Sequence, residues 1–191
     1  MPKLFMLLLG CKPAKRHVEQ HDIFFAIAES IRDVVPQARQ FWPEGKTSLH
    51  LDAWREVTKV GNTAINVVPR TAKASVEQLF FINLGGYQPG EFEEFHYKML
   101  ISAIDKGAAI TAAKQAAFFK HMGFKGATAH IDDRYGVDVD DLFAIPDILP
   151  ASSKSEFSLT LSPAAPDQPE DAIHLGYFKL DSVDKWAVFH S

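Results

Sequence analysis

The sequence predicts an α+β fold of two tandem β-β-α-β repeats, forming mixed sheets with helices packed on them, and a C-terminal β-hairpin. Three observations carry that prediction. Sliding the chain against itself by 75 positions pairs Leu4 with Leu79, Leu9 with Leu84, Gly10 with Gly85, Glu19 with Glu94, His21 with His96 and Gln40 with Gln115. The matches keep one order and need no gap, the signature of a duplicated supersecondary unit. Residues 4–9 are a continuous apolar run closed by Gly10 and Pro13, with a twin at residues 79–86, as expected of strands buried on both faces. Ala109, Ala112, Ala113, Ala116 and Phe119 recur at helical spacing and give a small-residue face able to lie close on a sheet.

The first repeat spans residues 1–75, the second 76–150, and an extension covers 151–191. Second strands are predicted at 21–28 and 96–104, each ending at a residue suited to cap a helix, Ser30 and Asp105. In the first helix Asp33 occupies the first turn, Pro36 is expected to restart the helix at an N1 position, and Pro43 to end it near Trp42. Third strands start near His50 and, after an insertion around residues 120–126 that moves the offset to 80, near His130, which pairs Asp52 with Asp132. Gly61-Asn62 is a two-residue hairpin signal leading into Ile65 and Val67. Strand, helix, strand is a crossover connection, so the sheets are expected to be mixed. Beyond Pro150, residues 152–155 read as polar linker, and strands at 157–161 and 173–180 form the hairpin across a loop rich in Pro, Ala and acid.

Composition narrows the classes. With 191 residues, 47% of them hydrophobic, the chain has material for a core. Lys and Arg number 20 against 24 Asp and Glu, a net charge of -4, and no basic run can track a phosphate backbone, which argues against nucleic acid. One cysteine, Cys11, allows no intrachain disulfide and fits a reducing cytoplasm. No stretch approaches the roughly 20 apolar residues of a membrane span. The Leu-Leu-Gly-Cys ending at Cys11 imitates a lipoprotein signal, but its apolar segment is short and its internal twin lies where no signal could be.

Glu19-Gln20-His21-Asp22, Phe41-Trp42-Pro43-Glu44, His50-Leu51-Asp52-Ala53-Trp54-Arg55, residues 79–87 and His130-Ile131-Asp132-Asp133 resemble the bacterial family of unknown function numbered 1543. The resemblance covers most of residues 3–149, twice over. It implies a bacterial source and one or two copies of the unit, and it carries over no catalytic residue.

Enzyme signatures mostly fail on context. Gly85, Gly86 and Gly90 are followed by a strand and not by the helix that a phosphate loop opens. Cys11 near His17 or His21 reads as a small core residue whose repeat partner is Gly86. Ser152, Ser153 and Ser155 lack a nucleophile elbow, and the aromatic residues belong to strands and helices, not to a basic face.

Two sets remain: Glu19, His21, His50 and Asp52, and Glu94, His96, His130 and Asp132. On strands, Glu-x-His and His-x-Asp put both side chains of each pair on one face. Each set is either a metal site of two imidazoles and two carboxylates or a structural network of His and carboxylate. Two functions follow. One is a non-catalytic module that binds a small molecule or assembles as a homo-oligomer around Trp42, Trp54 and Tyr87. The other is a divalent-metal hydrolase or lyase with His21, His50 and Asp52 as ligands, Glu19 as general base, and Trp54 and Arg55 as wall and anion donor beside them. The first set is preferred, because Asp22, Trp54 and Arg55 enrich it. The apolar run of residues 4–9 predicts a central strand, so Leu7→Asp is expected to abolish soluble expression. Recovery of a folded, soluble variant would contradict the central placement.

Overall fold

The computed structural model describes residues 1–70, 75–87, 90–122 and 138–185. Its elements are β1 (Lys3–Cys11), β2 (Gln20–Ala28), α1 (Ile31–Phe41), a 3₁₀ turn (Pro43–Ser48), β3 (His50–Glu56), β4 (Lys59–Val60), β5 (Thr63–Pro69), β6 (Gln78–Tyr87), β7 (Glu94–Ala103), α2 (Lys106–Met122), β8 (Asp138–Ala144), α3 (Ile145–Ile148), α4 (Ala151–Glu156), β9 (Phe157–Pro163), β10 (His174–Lys179) and a second 3₁₀ turn (Leu180–Lys185). Contacts divide these into two units, Met1–Ala74 with Leu149–Ser191, and Ser75–Ile148. The extension 151–191 thus belongs with the first unit.

In the first unit β1 is apolar because both of its edges are taken. It lies between β2 and β3 in a sheet of order β10-β3-β1-β2. Phe5, Leu7, Leu9 and Cys11 share one face with Phe24, Ala26, Leu51 and Phe178, and Val34 and Ala38 of α1 pack on it. The helix starts where the sequence expects. The Ser30 N–H and hydroxyl both donate to Asp33 Oδ2, at 3.0 and 2.7 Å, a side-chain substitute for missing helical partners. Pro36 lies inside the continuous helix instead of restarting it. It gives up one helical N–H, while the apolar contacts of Val34 and Ala38 on either side keep the helix on the sheet.

The second unit has the same element order. β6 lies between β7 and β8, and α2 buries Ala109 and Ala113 against Phe80, Ile82 and Leu84. Asp105 caps α2 by accepting from the Ala108 N–H at 2.8 Å. The third strand of this unit is β8. The earlier start expected at His130, and Asp132 with it, lies outside the described residues.

Strand directions follow from which edge is open. β2 and β3 run the same way, as the crossover through α1 requires, but β2 already occupies one edge of β1. β3 takes the other, so the pairs within the described sheets are antiparallel and not mixed. The expected C-terminal hairpin does not form. β9 pairs with β5 and β10 with β3, each completing an edge that would otherwise leave its N–H and C=O groups unpaired. Residues 152–155, expected as linker, are helical in α4.

The loop between β9 and β10 is held by Asp171. Its carboxylate accepts from the Thr58 N–H at 3.1 Å, the Thr58 hydroxyl at 2.6 Å and the Lys59 N–H at 3.3 Å, and Lys59 Nζ donates to the Gln168 carbonyl at 2.7 Å. Asp171→Ala leaves part-buried donors unmet, and a loss of about 1–3 kcal/mol is expected, read as a lower urea midpoint at unchanged slope.

Candidate functional site

The sheet face of the first unit that points away from α1 carries the polar cluster. Gly10 of β1 stands opposite His21 of β2 and opposite His50 of β3, so the two imidazoles flank a position without a side chain. A register shift then separates Leu9↔Leu51 from Leu8↔Ala53 and leaves Asp52 as the extra residue of a β-bulge. Bulges re-aim side chains. Here the Asp52 carboxylate is turned over Gly10. A Cβ at Gly10 would lie 2.6 Å from Asp52 Oδ2 and 2.6 Å from His50 Nε2, closer than side-chain atoms approach one another. Glycine at this point makes room for the cluster.

The contacts form a chain. His21 Nε2 is 2.9 Å from Asp52 Oδ2, His50 Nε2 is 3.2 Å from Asp52 Oδ1, and His50 Nε2 is 3.0 Å from Glu19 Oε1. His50 is only 2% exposed. Its other nitrogen, Nδ1, is 2.8 Å from the Ser48 carbonyl, an acceptor, so Nδ1 carries a proton and donates it. Nε2 is left facing two carboxylates. Despite their distances, His50 Nε2 and Asp52 Oδ2 are buried without a hydrogen bond of acceptable geometry. The Tyr177 ring covers the imidazole of His50, with centroids 4.1 Å apart.

The second unit repeats the arrangement with fewer donors. Gly85 stands opposite His96, and a register shift between Leu84↔Val139 and Asn83↔Asp141 makes Asp140 the bulge residue. His96 Nε2 is 3.3 Å from Asp140 Oδ2 and 3.8 Å from Glu94 Oε2. The ligand atoms of Glu94, His96 and Asp140 all lie within 4.8 Å of one another, and a Cβ at Gly85 would meet Glu94 Oε1 at 2.9 Å. The residue opposite Gly85 on β8 is Asp138, and among the described residues this set holds one imidazole, His96.

Residues 16–67, which hold Glu19, His21, His50 and Asp52, match the family model Domain of Unknown Function (DUF1543). Over these residues the chain is similar to that family. The fold resembles the crystal structure of a protein Il1583 from Idiomarina loihiensis, at a TM-score of 0.64 and 21% identity over 94% of this chain and 99% of that one. Comparison with curated proteins finds no match.

Within the DUF1543 segment, the structure brings together Glu19, His21, His50 and Asp52 and separates Trp54 and Arg55 from them. After the bulge the strand's alternation is reset. Trp54 falls opposite Leu7, on the α1 face, where its ring packs against Phe5 and stacks on His174 at 3.9 Å. Trp42 also packs against that core, and the side chain of Tyr87 lies outside the described residues. Arg55 stands opposite Met6. Burial holds its guanidinium below the usual range, and the charges of Asp171 and Glu170 offset part of that effect. Cys11 points to the α1 core, away from His21. Burial pushes its thiol up, with Glu19 and Glu44 adding to the effect, so it has no activated thiolate.

Sequence reasoning missed Asp140, Tyr177 and the two glycine floors. The signal for the glycines was present, since glycine inside an apolar strand marks close approach. For Asp140 it was obscured by the earlier His130-Ile131-Asp132 match. Gly10→Ala is expected to push Asp52 and His50 apart while the fold persists. The His21 and His50 imidazole signals in ¹H–¹⁵N spectra should move while that of His174, on the other face, stays. Unchanged His50 signals would mean that the glycine floor does not shape the cluster.

Proposed function

We propose that the first unit is a binding module for a divalent first-row metal ion, held by His21, His50, Asp52 and Glu19. The observation that carries this reading is His50. A nearly inaccessible imidazole with Nδ1–H fixed on a backbone carbonyl and Nε2 aimed at two carboxylates is arranged as a metal-ligating histidine, whose second nitrogen is oriented by such an outer partner. The carboxylates of Glu19 and Asp52 both face this one nitrogen, at 3.0 and 3.2 Å, and a cation bound among them would offset their charge. The donor set of two imidazoles and two carboxylates suits manganese, iron, cobalt, nickel or zinc more than the all-oxygen cages of calcium.

Glu19 belongs with the donors in this reading. It contacts His50 at 3.0 Å, within the same distance range as the other pairs, and so is a ligand and not a detached general base. The ligand atoms of Glu94, His96 and Asp140 also lie within 4.8 Å of one another, so the second unit holds a candidate of its own beside that of the first. A cytoplasmic setting is part of the proposal, in keeping with one buried thiol. No helix among the described residues is long and apolar enough to cross a membrane.

The test is metal binding by protein purified without an affinity tag. Cobalt or zinc titrated into the stripped chain should bind and stabilise it, by about 2.7 kcal/mol at a hundredfold excess over Kd. In a chain carrying His96→Ala, so that the second unit's set contributes no imidazole, His50→Ala and Asp52→Asn should weaken that binding more than tenfold. A stripped chain that takes up neither ion, or variants that bind as the parent does, would return the cluster to a purely structural role.

A further inference from the structure

We infer that the second unit holds a divalent cation of its own at Glu94, His96 and Asp140, whether or not the first unit holds one. Convergence is the first observation. Glu94 and His96 stand on β7 and Asp140 on β8, the two strands that flank β6, yet their ligand atoms all lie within 4.8 Å of one another. Donors sharing one ion through bonds of about 2.1 Å lie about 3.0 to 4.2 Å apart. The spacings from His96 Nε2, 3.3 Å to Asp140 Oδ2 and 3.8 Å to Glu94 Oε2, fall within that interval. Both exceed the roughly 2.7 to 3.2 Å of an ordinary N–H···O bond, so hydrogen bonding is not what draws the three together.

The floor beneath the set is bare. Gly85 of β6 stands opposite His96, and a Cβ there would collide with Asp140 Oδ2 and lie 2.9 Å from both Asp140 Oδ1 and Glu94 Oε1. Carboxylates from two strands are thus aimed at one point above a third, with an imidazole beside them. Two carboxylates balance the charge of a divalent ion, and together with an imidazole they suit manganese, iron or zinc. The next position on the same face adds a second observation. β6 turns Ile82 and Leu84 to the α2 core, so alternation sets Asn83 on the face of Gly85. Its Nδ2 donates to Asp141 Oδ2 at 3.3 Å, while its Oδ1 is buried without a hydrogen-bond partner. Such an oxygen calls for a donor, and water carried on a cation is one. The side chains of His96, Glu94 and Asp140 are 36%, 37% and 31% exposed, so an ion enters from solvent without opening the fold.

The experiment titrates manganese(II) into the full ¹⁵N-labelled chain, stripped of metal, and follows paramagnetic broadening of the backbone amide signals. The expected result is early loss of the Gly85 and Asp140 signals, which Glu94→Gln or His96→Ala delays to roughly tenfold more manganese or beyond. Asp52→Asn, in the first unit, should leave that response as it is. Gly85 and Asp140 signals that persist, or that vanish equally early in both second-unit variants, would overturn the inference, the latter because exposed charge alone then gathers the ion. Loss of the response in Asp52→Asn would overturn it too, by placing the ion in the first unit. Broadening at Gly10 and His50 reads the first unit separately, and its absence beside a full response at Gly85 would sink the first-unit reading and uphold this one.

Discussion

A polar cluster on a sheet whose central strand is otherwise apolar depends on one constraint, the missing side chain at Gly10. Strands β2 and β3 flank β1 at the spacing that hydrogen bonding fixes, and side chains directly opposite one another converge over the strand between them. Any Cβ on β1 at that rung would occupy the volume that His50 Nε2 and Asp52 Oδ2 now share. The bulge at Asp52 is the second half of the same device. Alternation already sets Asp52 on the face of His50, two residues before it. The extra residue leaves Asp52 without a partner on β1, so that its carboxylate reaches over Gly10, and it returns Trp54, which plain alternation would put on the cluster face, to the core. Local irregularity here creates the site and preserves the packing on both sides of it.

The two units show the same solution with different content. Gly85 and Asp140 hold the places of Gly10 and Asp52, and His96 that of His21, down to the rung at which the register shifts. What differs is the position opposite the glycine on the third strand, His50 in one and Asp138 in the other. The C-terminal extension adds to the asymmetry: β10 lies beside β3, and the ring of its Tyr177 lies against His50.

Much of this architecture was legible from the chain alone, because it rests on periodicity. The apolar run of β1, the matches at constant offset, the caps at Ser30 and Asp105 and the alanine face of α2 are local patterns, and local patterns fix element type and order. The grouping of Glu19, His21, His50 and Asp52 was legible too, from the x-spacing that sets two side chains on one strand face. Their joining into one cluster needed the pairing of β1 with both neighbours, which no local pattern states.

What only the tertiary structure decided were the features that break a period or join distant segments. The bulge shifts alternation by one residue, so Trp54, adjacent in sequence to the site, is carried to the other face. The partner of β9 is β5 and that of β10 is β3, because open edges compete for strands across the whole unit and a nearby strand has no priority over a distant one. Asp140 is placed beside Gly85 by a register shift between β6 and β8, and register is not written in the spacing of matching letters. The sequence by itself determined which residue types recur and on which elements. Register, edge pairing and the space above a glycine determined which of them meet.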